Sequence, residues 1–421
     1  MATALLLYLL LAAWRLSSTV FPEAPSATGV DSAAGNASCM ALVREAGVRA
    51  EGGTERNFVV SPLSIHAALG MVAAGTRGDT LSELLAFLGS KTIDQLHRAK
   101  ATELVGRLNG IAQTFFASGV WVDGRLALKP EFTAAAASRY NATAESVDFV
   151  SGAEQARQRV NAFVADATDN LIRDVLPPAS VDSSTAVVLA NALYFKGAWP
   201  HPFDVSTAPF HVPGDTTVRV PSMTTSESQR IAVYPGFRAL KLPYKNDVQV
   251  QQQAEFYMLI LVPDKDTVSL ADLYDKAVST PEFFKKHTPA REVPVGRFMV
   301  PKFSFTFEFE ASSAMWKLGV TKAFEGGDFS GMLSGGDKGL VIDKVHHKAT
   351  VEVDEVGTVA AAATVVEIKY GSVGPGLRRG VDFVADRPSY LPWLRRGQIR
   401  YCFLVMWLEG VCFQGLIDFG T

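Results

Sequence analysis

The sequence predicts a single α+β domain in which helices and strands are mixed rather than arranged as βαβ repeats. The chain has 421 residues, of which 48% are hydrophobic and 20% are charged, a composition typical of a globular protein with a large core. No Pro-, Gly- or Ser-rich linker and no internal repeat divides the chain. Segments with strand-like alternation and segments with helical spacing follow one another in no regular order. We therefore expect one domain over residues 36–421.

The first 35 residues are predicted to lie outside this domain, as a leader or a flexible N-terminal extension. Residues 4–14 have the length and apolarity of a signal-peptide core and are too short to span a membrane, so residues 1–19 are a candidate signal peptide. No basic residue precedes them, which leaves a cytosolic or nuclear location as the alternative to an extracellular one. Asn36 and Asn141 each begin an Asn-X-Ser/Thr sequence and are candidate glycosylation sites.

Charge and cysteine content exclude several classes of protein. A net charge of −3 argues against a nucleic-acid-binding protein that relies on bulk charge. The three cysteines make no disulfide framework, and Cys402 and Cys412 are predicted to be buried thiols in a terminal hairpin. No Cys/His cluster has the spacing of a zinc site, and no HExxH sequence occurs. We expect a monomer with no cofactor, no bound metal and no membrane span.

In chain order, the first predicted elements are a helix from about Ser38, a short strand at 57–60 and a buried helix after it. Ser61 is a good N-cap for that second helix, and Pro62 suits its first position. One face of the helix is apolar at three spaced positions, Ile65, Leu69 and Val72. The small residues around them allow close packing.

The middle of the chain alternates between strands and helices without a fixed pattern. Strands are predicted at 112–124, 187–204 and 254–264, with a further alternating pair around Val300 and Phe305. The helical segments are an amphipathic helix at 151–172, a region from Leu270 and a helix ahead of residue 320.

Residues 345–368 read as one strand followed by a segment that can become another. From Val345 to Val353 every second residue is suited to a buried face, and the residues between them are polar. Four consecutive alanines follow, framed by Thr358 and Thr364. If residues 357–369 form a strand, one face carries only small or apolar side chains, from Thr358 to Ile368. The other face carries both charged residues, Glu367 and Lys369. This second segment is therefore able to enter a sheet.

The sequence "HHKATVEVDEVGTVAAAAT" (346–364) resembles the signature of the serpins, the strand and hinge that lead into their reactive-centre loop. Blocks at 57–65 ("NFVVSPLSI"), 191–203 ("NALYFKGAWPHPF"), 323–332 ("AFEGGDFSGM") and 382–388 ("DFVADRP") are similar to serpin blocks in the same order, and plant serpins are the most similar. The resemblance runs from about residue 38 to the end of the chain. It implies mixed helices around three β-sheets, with an exposed reactive-centre loop at about 355–381 able to insert into the main sheet.

The resemblance also implies a function, inhibition of a serine or cysteine endopeptidase by a suicide-substrate mechanism. The protease cleaves the loop, and the loop inserts as an extra strand and carries the acylated protease with it. The implied hinge residues are small or match the family pattern: Glu355, Gly357, Thr358, Ala360, Ala361, Ala362, Ala363 and Thr364. The protein would then be an inhibitor and not an enzyme.

Some residues depart from the inhibitory pattern. Val356 and Val359 stand where plant members commonly have glutamate, and the implied scissile bond joins Gly371 to Ser372, although glycine fills no specificity pocket. Alternative cleavage sites are Lys369, Arg378 and Arg379. Residues 390–400 are either a solvated insertion or part of a local anion-binding patch. The alternative function is therefore that of a non-inhibitory serpin, a binding protein or a protease substrate.

Four polar residues in apolar segments need hydrogen-bond partners if they are buried, namely Ser61, Ser64, Asn191 and His347. By resemblance they occupy the shutter, a polar cluster beneath the point where the main sheet opens, and Trp199 lies at the gate of the same opening. The rival interpretation, a Ser-His-Asn hydrolase, would call for a GxSxG nucleophile elbow, which is absent from the sequence.

Overall fold

The computed structural model describes residues 41–42, 44–45, 58–99, 102, 105, 113–212, 216–245, 256–264, 268, 270–280, 283–335, 338–342, 344–358, 380–386, 402–408 and 411–417. The chain divides into the units Met1–Asp31 and Ser32–Thr421. All described residues belong to the second unit.

Helices and strands are mixed along the chain, as the sequence predicts. The described helices are α1 (Pro62–Ala74), α2 (Gly78–Phe87), α3 (Ile93–His97), α4 (Pro130–Tyr140), α5 (Ala153–Ala167), α6 (Leu270–Ser279), α7 (Phe283–Lys286), α8 (Ser312–Lys317) and α9 (Lys322–Glu325). The first eleven described strands are β1 (Phe58–Val60), β2 (Thr114–Asp123), β3 (Ala127–Leu128), β4 (Thr143–Val147), β5 (Val187–Phe195), β6 (Gly197–Ala198), β7 (Asp204–Val212), β8 (Thr216–Thr224), β9 (Arg230–Tyr234), β10 (Phe237–Pro243) and β11 (Tyr257–Pro263). The later described strands are β12 (Val295–Pro301), β13 (Phe303–Glu310), β14 (Gly327–Asp328), β15 (Leu333–Ser334), β16 (Lys338–Leu340), β17 (Lys344–Val353), β18 (Gly357–Thr358), β19 (Val381–Val384), β20 (Cys402–Leu408) and β21 (Val411–Ile417).

Three large sheets organise the described residues, which confirms the predicted fold class. The central sheet has the order β4-β2-β5-β17-β18-β6, with β13 paired to β17 as well. A second sheet has the order β1-β21-β20-β11-β10-β9, and a third has the order β19-β12-β8-β7. Two short ladders, β14 with β16 and β15 with β3, are added to them.

Both faces of the central sheet are buried, because alternate residues of its strands enter two different apolar clusters. Along β5, Leu189 and Leu193 join the cluster that contains α1, whereas Val188 and Ala192 join the cluster that contains α5. A central strand buried on both faces reads as a continuous apolar run, as residues 187–195 do. Asn191 lies on the α1 side of this run and is the polar exception.

The boundaries of two predicted elements differ from the prediction. The helix predicted at 151–172 ends at Ala167, and Asp169 and Asn170 then adopt left-handed backbone angles of φ 51° and 60°. The strand predicted at 187–204 is interrupted after Ala198 and resumes as β7 at Asp204. Pro200 and Pro202 lie in that interval, and proline cannot donate to a strand ladder.

Among the described residues, the structure contains no helix whose length and hydropathy would suit a passage through a bilayer.

Candidate functional site

The hinge of the predicted reactive-centre loop already lies inside the central sheet. Strand β18 is antiparallel both to the end of β17, through Val353 and Thr358, and to β6, through the pairs Gly357–Ala198 and Thr358–Gly197. The Thr358 side chain is 1% exposed. The first two residues of the predicted loop strand are therefore paired on both sides.

The sheet has room for β18 because its two middle strands separate at one end. Strands β5 and β17 pair in parallel from Val188–Lys344 to Leu193–Ala349. Beyond this point β17 pairs with β18, and the chain that continues from β5 pairs with β18 through β6. The gap is one strand wide where the hinge enters.

A tight turn places β18 in this gap. The Asp354 carboxylate accepts hydrogen bonds from the backbone N–H groups of Val356 (2.9 Å) and Gly357 (3.0 Å), and the Asp354 N–H donates to the Gly357 carbonyl at 2.9 Å. A Cβ atom at position 357 would overlap the carbonyl oxygen of Gly197 and lie 2.8 Å from the Cα of Ala198. Only glycine allows β18 and β6 to approach this closely.

Trp199 holds the backbone of the turn. Its indole Nε1 donates to the Asp354 carbonyl at 2.9 Å, and its backbone N–H donates to the Val356 carbonyl at 2.8 Å. The backbone N–H of Phe203 donates to the Glu355 carbonyl, also at 2.8 Å. The sequence predicts Trp199 as packing at the gate, and the structure adds that this residue binds the hinge directly.

Two further contacts to the hinge could not be found from the sequence. The Lys302 ammonium forms an ion pair with the Glu355 carboxylate, and its hydrogen bond lowers the pKa of that carboxyl despite partial burial. The Tyr244 hydroxyl lies 2.6 Å from the Thr358 hydroxyl. Neither Lys302 nor Tyr244 carries a local sequence signal, because each belongs to a strand or corner far from the hinge along the chain.

The shutter residues meet at the start of α1. The Ser61 side chain accepts a hydrogen bond from the Ser64 backbone N–H at 3.2 Å, and the Ser64 hydroxyl donates to the Ser61 carbonyl at 3.1 Å. The Ser61 backbone N–H donates to Nε2 of His347 at 3.3 Å. Burial lowers the pKa of His347 to about 4, so the imidazole is neutral at pH 7 and accepts this bond.

Asn191 lies beside His347 in the central sheet, but its side chain makes no hydrogen bond in the described structure. It pairs with His347 on β17 and with Ser118 on β2, so the three side chains form a row across the sheet on the side of α1. Both polar atoms of the Asn191 amide are buried without a hydrogen-bond partner in the described structure, as are Nδ1 of His347 and the Ser118 hydroxyl. Sequence reasoning missed Ser118, which lies among the apolar residues in the middle of β2.

Comparison with known proteins shows the family of this chain. The sequence model described as serpin (serine protease inhibitor) matches residues 34–391. The chain belongs to the serpin family. Putative serpin-Z12 of Oryza sativa subsp. japonica is 60% identical over 366 residues, covering 83% of this chain and 85% of that one. Serpin-ZX of Arabidopsis thaliana is 38% identical over 347 residues, covering 80% and 87%.

Solved serpin structures share the fold. The structure of Arabidopsis AtSerpin1 in its native stressed conformation superimposes with a TM-score of 0.76 at 32% identity, covering 93% of this chain and 98% of that one. Human thyroxine-binding globulin complexed with its ligand superimposes with a TM-score of 0.73 at 23% identity, covering 91% and 97%. The second likeness concerns the fold alone.

The rest of the predicted loop lies outside the residues that the structure describes. This holds for the hinge positions Ala360, Ala361, Ala362, Ala363 and Thr364, for the cleavage candidates Lys369, Gly371, Ser372, Arg378 and Arg379, and for Asn36. The described chain of this serpin resumes at Gly380 and enters β19, which runs parallel to β12.

The other glycosylation candidate, Asn141, caps the C-terminus of a helix rather than lying in an open loop. It follows α4 with a left-handed φ of 49°, and its Nδ2 atom is buried without a hydrogen-bond partner in the described structure. A glycan on Nδ2 would require the side chain to turn outward.

The shutter of this serpin does not have the geometry of a hydrolase site. A nucleophilic serine needs its hydroxyl within reach of a basic imidazole. Here Nε2 of His347 accepts from the Ser61 backbone, and the Ser61 hydroxyl accepts from the Ser64 backbone. These contacts stabilise the N-terminus of α1.

Proposed function

We propose that this serpin inhibits serine endopeptidases as a suicide substrate, by cleavage of the loop after the hinge and insertion of the loop as a new strand. The observation that carries the proposal is the entry of β18 between β17 and β6. In this mechanism β18 marks the point of entry, and the small side chains of the alanines that follow it in the sequence favour continued insertion. The target is an endopeptidase that attacks the loop before insertion is complete.

The free energy for trapping would come from the hydrogen bonds that the inserted loop forms with the strands on either side of it. Each backbone hydrogen bond of a new ladder contributes about 1 kcal/mol net, so about ten of them supply roughly 10 kcal/mol. The unpartnered polar atoms of Asn191 and His347 lie on β5 and β17, the two strands that insertion would separate, and the Ser118 hydroxyl lies next to Asn191 on β2. New partners for these atoms would favour the inserted state further.

The alternative of a non-inhibitory serpin rests on the hinge valines, on Gly371 and on the insertion at 390–400. The position of Val356 weakens one of these reasons, since it lies half-buried in the turn ahead of β18 and not in the inserted strand. A protein that is cleaved without trapping the protease would follow this alternative.

Incubation with trypsin-, chymotrypsin-, elastase- and papain-like proteases tests the proposal. An inhibitor forms a complex that survives a denaturing gel, with the loop cut after Gly371 or Lys369 by mass spectrometry. Clean cleavage at Arg378 or Arg379 without a complex, across the whole panel, would replace inhibition by the substrate function.

Thr358→Arg supplies the matched variant. Position 358 is fully buried in the sheet, and an unpaired buried charge is strongly unfavourable. We expect the variant to be cleaved at the normal rate while its yield of complex falls at least about tenfold. Val356→Glu, in the half-buried turn, is the control that should retain trapping. A Thr358→Arg protein that traps as well as the natural one would contradict the mechanism.

A further inference from the structure

Tyr244 contacts the side chain of Thr358, the hinge residue that the structure describes within β18 beside Gly357. It follows β10 of the second sheet, and its hydroxyl reaches across to the central sheet, 2.6 Å from the Thr358 hydroxyl. Both residues are buried, with Tyr244 3% and Thr358 1% exposed. Burial raises the pKa of Tyr244, so its hydroxyl remains protonated and able to donate at physiological pH.

The position of the Tyr244 hydroxyl is determined by the packing of its ring. The ring stacks on Trp199 with centroids 4.6 Å apart and an interplanar angle of 14°, and Phe195 meets it edge to face at 4.8 Å. A Cβ atom at Gly197 would come within 2.7 Å of the ring, so β6 also confines it. A ring held on three sides cannot move its hydroxyl to suit a different side chain at position 358.

The backbone contacts to the hinge do not distinguish one side chain from another. Trp199 and Phe203 bind backbone carbonyl groups of residues 354–356, which any sequence supplies. A valine or alanine at position 358 would keep those bonds but remove the hydrogen bond between the two buried hydroxyl groups, so the hinge would lose its side-chain contact to Tyr244.

We propose that Tyr244 is a positioning residue that seats the hinge in the sheet before cleavage and selects a hydroxyl-bearing residue at position 358. After cleavage, insertion of the loop then starts from the strand register that the hinge has already formed. This consequence for trapping rests on the proposed function, whereas the seating itself does not require a protease.

Hydrogen–deuterium exchange of the backbone amides of residues 354–358 in the intact full chain tests the seating. We expect Tyr244→Phe and Thr358→Val each to speed exchange about fivefold, the effect of one lost hydrogen bond. The double variant should exchange no faster than either single one, because both substitutions remove the same bond. Thr358→Ser, which retains the hydroxyl, should exchange at nearly the natural rate.

The hydroxyl pair of Tyr257, on β11, and Thr288, which follows α7, is the matched control, with the two oxygens 3.4 Å apart. Tyr257→Phe and Thr288→Val should leave exchange at 354–358 unchanged. Unchanged exchange in both hinge variants, or fully additive effects in the double variant, would overturn the proposal. Because no protease is present, a positive result together with a negative protease panel would remove inhibition as the function and leave the role of Tyr244 standing.

Discussion

The structure leaves no room for a side chain at Gly357. A methyl group there would overlap the Gly197 carbonyl, so Gly357→Ala should push β18 out of the sheet. Overpacking of this kind typically costs about 1–3 kcal/mol. We expect a lower melting temperature of the intact protein and faster amide exchange at the hinge.

Gly124→Ala is the control for this substitution, since its new methyl group would meet only one atom, at an ordinary 3.6 Å. Equal stability of the two alanine variants would show that β18 does not need a glycine.

His347 gives the stability of the protein a pH dependence. Burial lowers its pKa from 6.5 to about 4, so between these pH values the unfolded chain binds a proton that the folded chain does not. The free energy of unfolding therefore falls as the pH drops through this window, by about 2 kcal/mol between about pH 7 and about pH 5. Urea denaturation at the two pH values measures it.

His347→Gln should remove this share of the pH dependence. His66, which burial also gives a pKa of about 4, provides the comparison, because it lies on α1 outside the sheet and His66→Gln should remove a similar share. If His347→Gln and the natural protein lose stability equally between the two pH values, the imidazole is not buried as a neutral acceptor.

At the scale of elements, the ion pair of Lys302 and Glu355 connects the corner between β12 and β13 to the turn that precedes β18. Both side chains are about one-third exposed at 30%, so the pair contributes at most about 1 kcal/mol. Glu355→Lys replaces attraction by repulsion and should loosen the turn, seen as a lower melting temperature and a higher ratio of serpin to protease needed for complete inhibition.

Reversing the charge of Lys302 as well shows whether the effect of Glu355→Lys comes from the ion pair or from a change in net charge. The double variant Glu355→Lys with Lys302→Glu restores attraction and should recover most of the lost stability. A double variant less stable than Glu355→Lys alone would show that the two residues do not act as a pair.

At the scale of the whole molecule, the proposed mechanism requires that the central sheet can still accept a strand and that the protein gains stability when it does. If cleavage within residues 365–379 lets the loop insert as proposed, about ten new ladder hydrogen bonds correspond to a rise in melting temperature of roughly 10–20 °C. Calorimetry of the intact and cleaved protein measures the rise. The absence of any gain after cleavage would count against insertion and in favour of a non-inhibitory serpin.

Much of this molecule could be predicted from local pattern. The alternation from Val345 to Val353 correctly predicts β17 and its buried face. Ser61 and Pro62 correctly predict the start of α1. These predictions succeed because a cap or an alternating strand depends on residues within a few positions of one another.

The prediction was less complete for the polar cluster. The two serines and His347 are hydrogen-bonded to one another as expected, but the side-chain amide of Asn191 is not. Ser118, which lies in the same row as Asn191, was not predicted to belong to the cluster. Whether a buried polar atom finds a partner depends on strand register and on which element covers the face, and neither is readable from the residue itself.

The sequence by itself determined the fold class, the serpin family and a hinge of small residues able to enter a sheet. Only the tertiary structure decided which groups hold that hinge: the Trp199 indole, the Lys302 ammonium and the Tyr244 hydroxyl. Periodicity and local propensity are properties of neighbours along the chain, so they can be read directly. The contacts to the hinge come from residues that follow β6, β10 and β12, which belong to three different sheets, and they exist only once packing has brought those strands together.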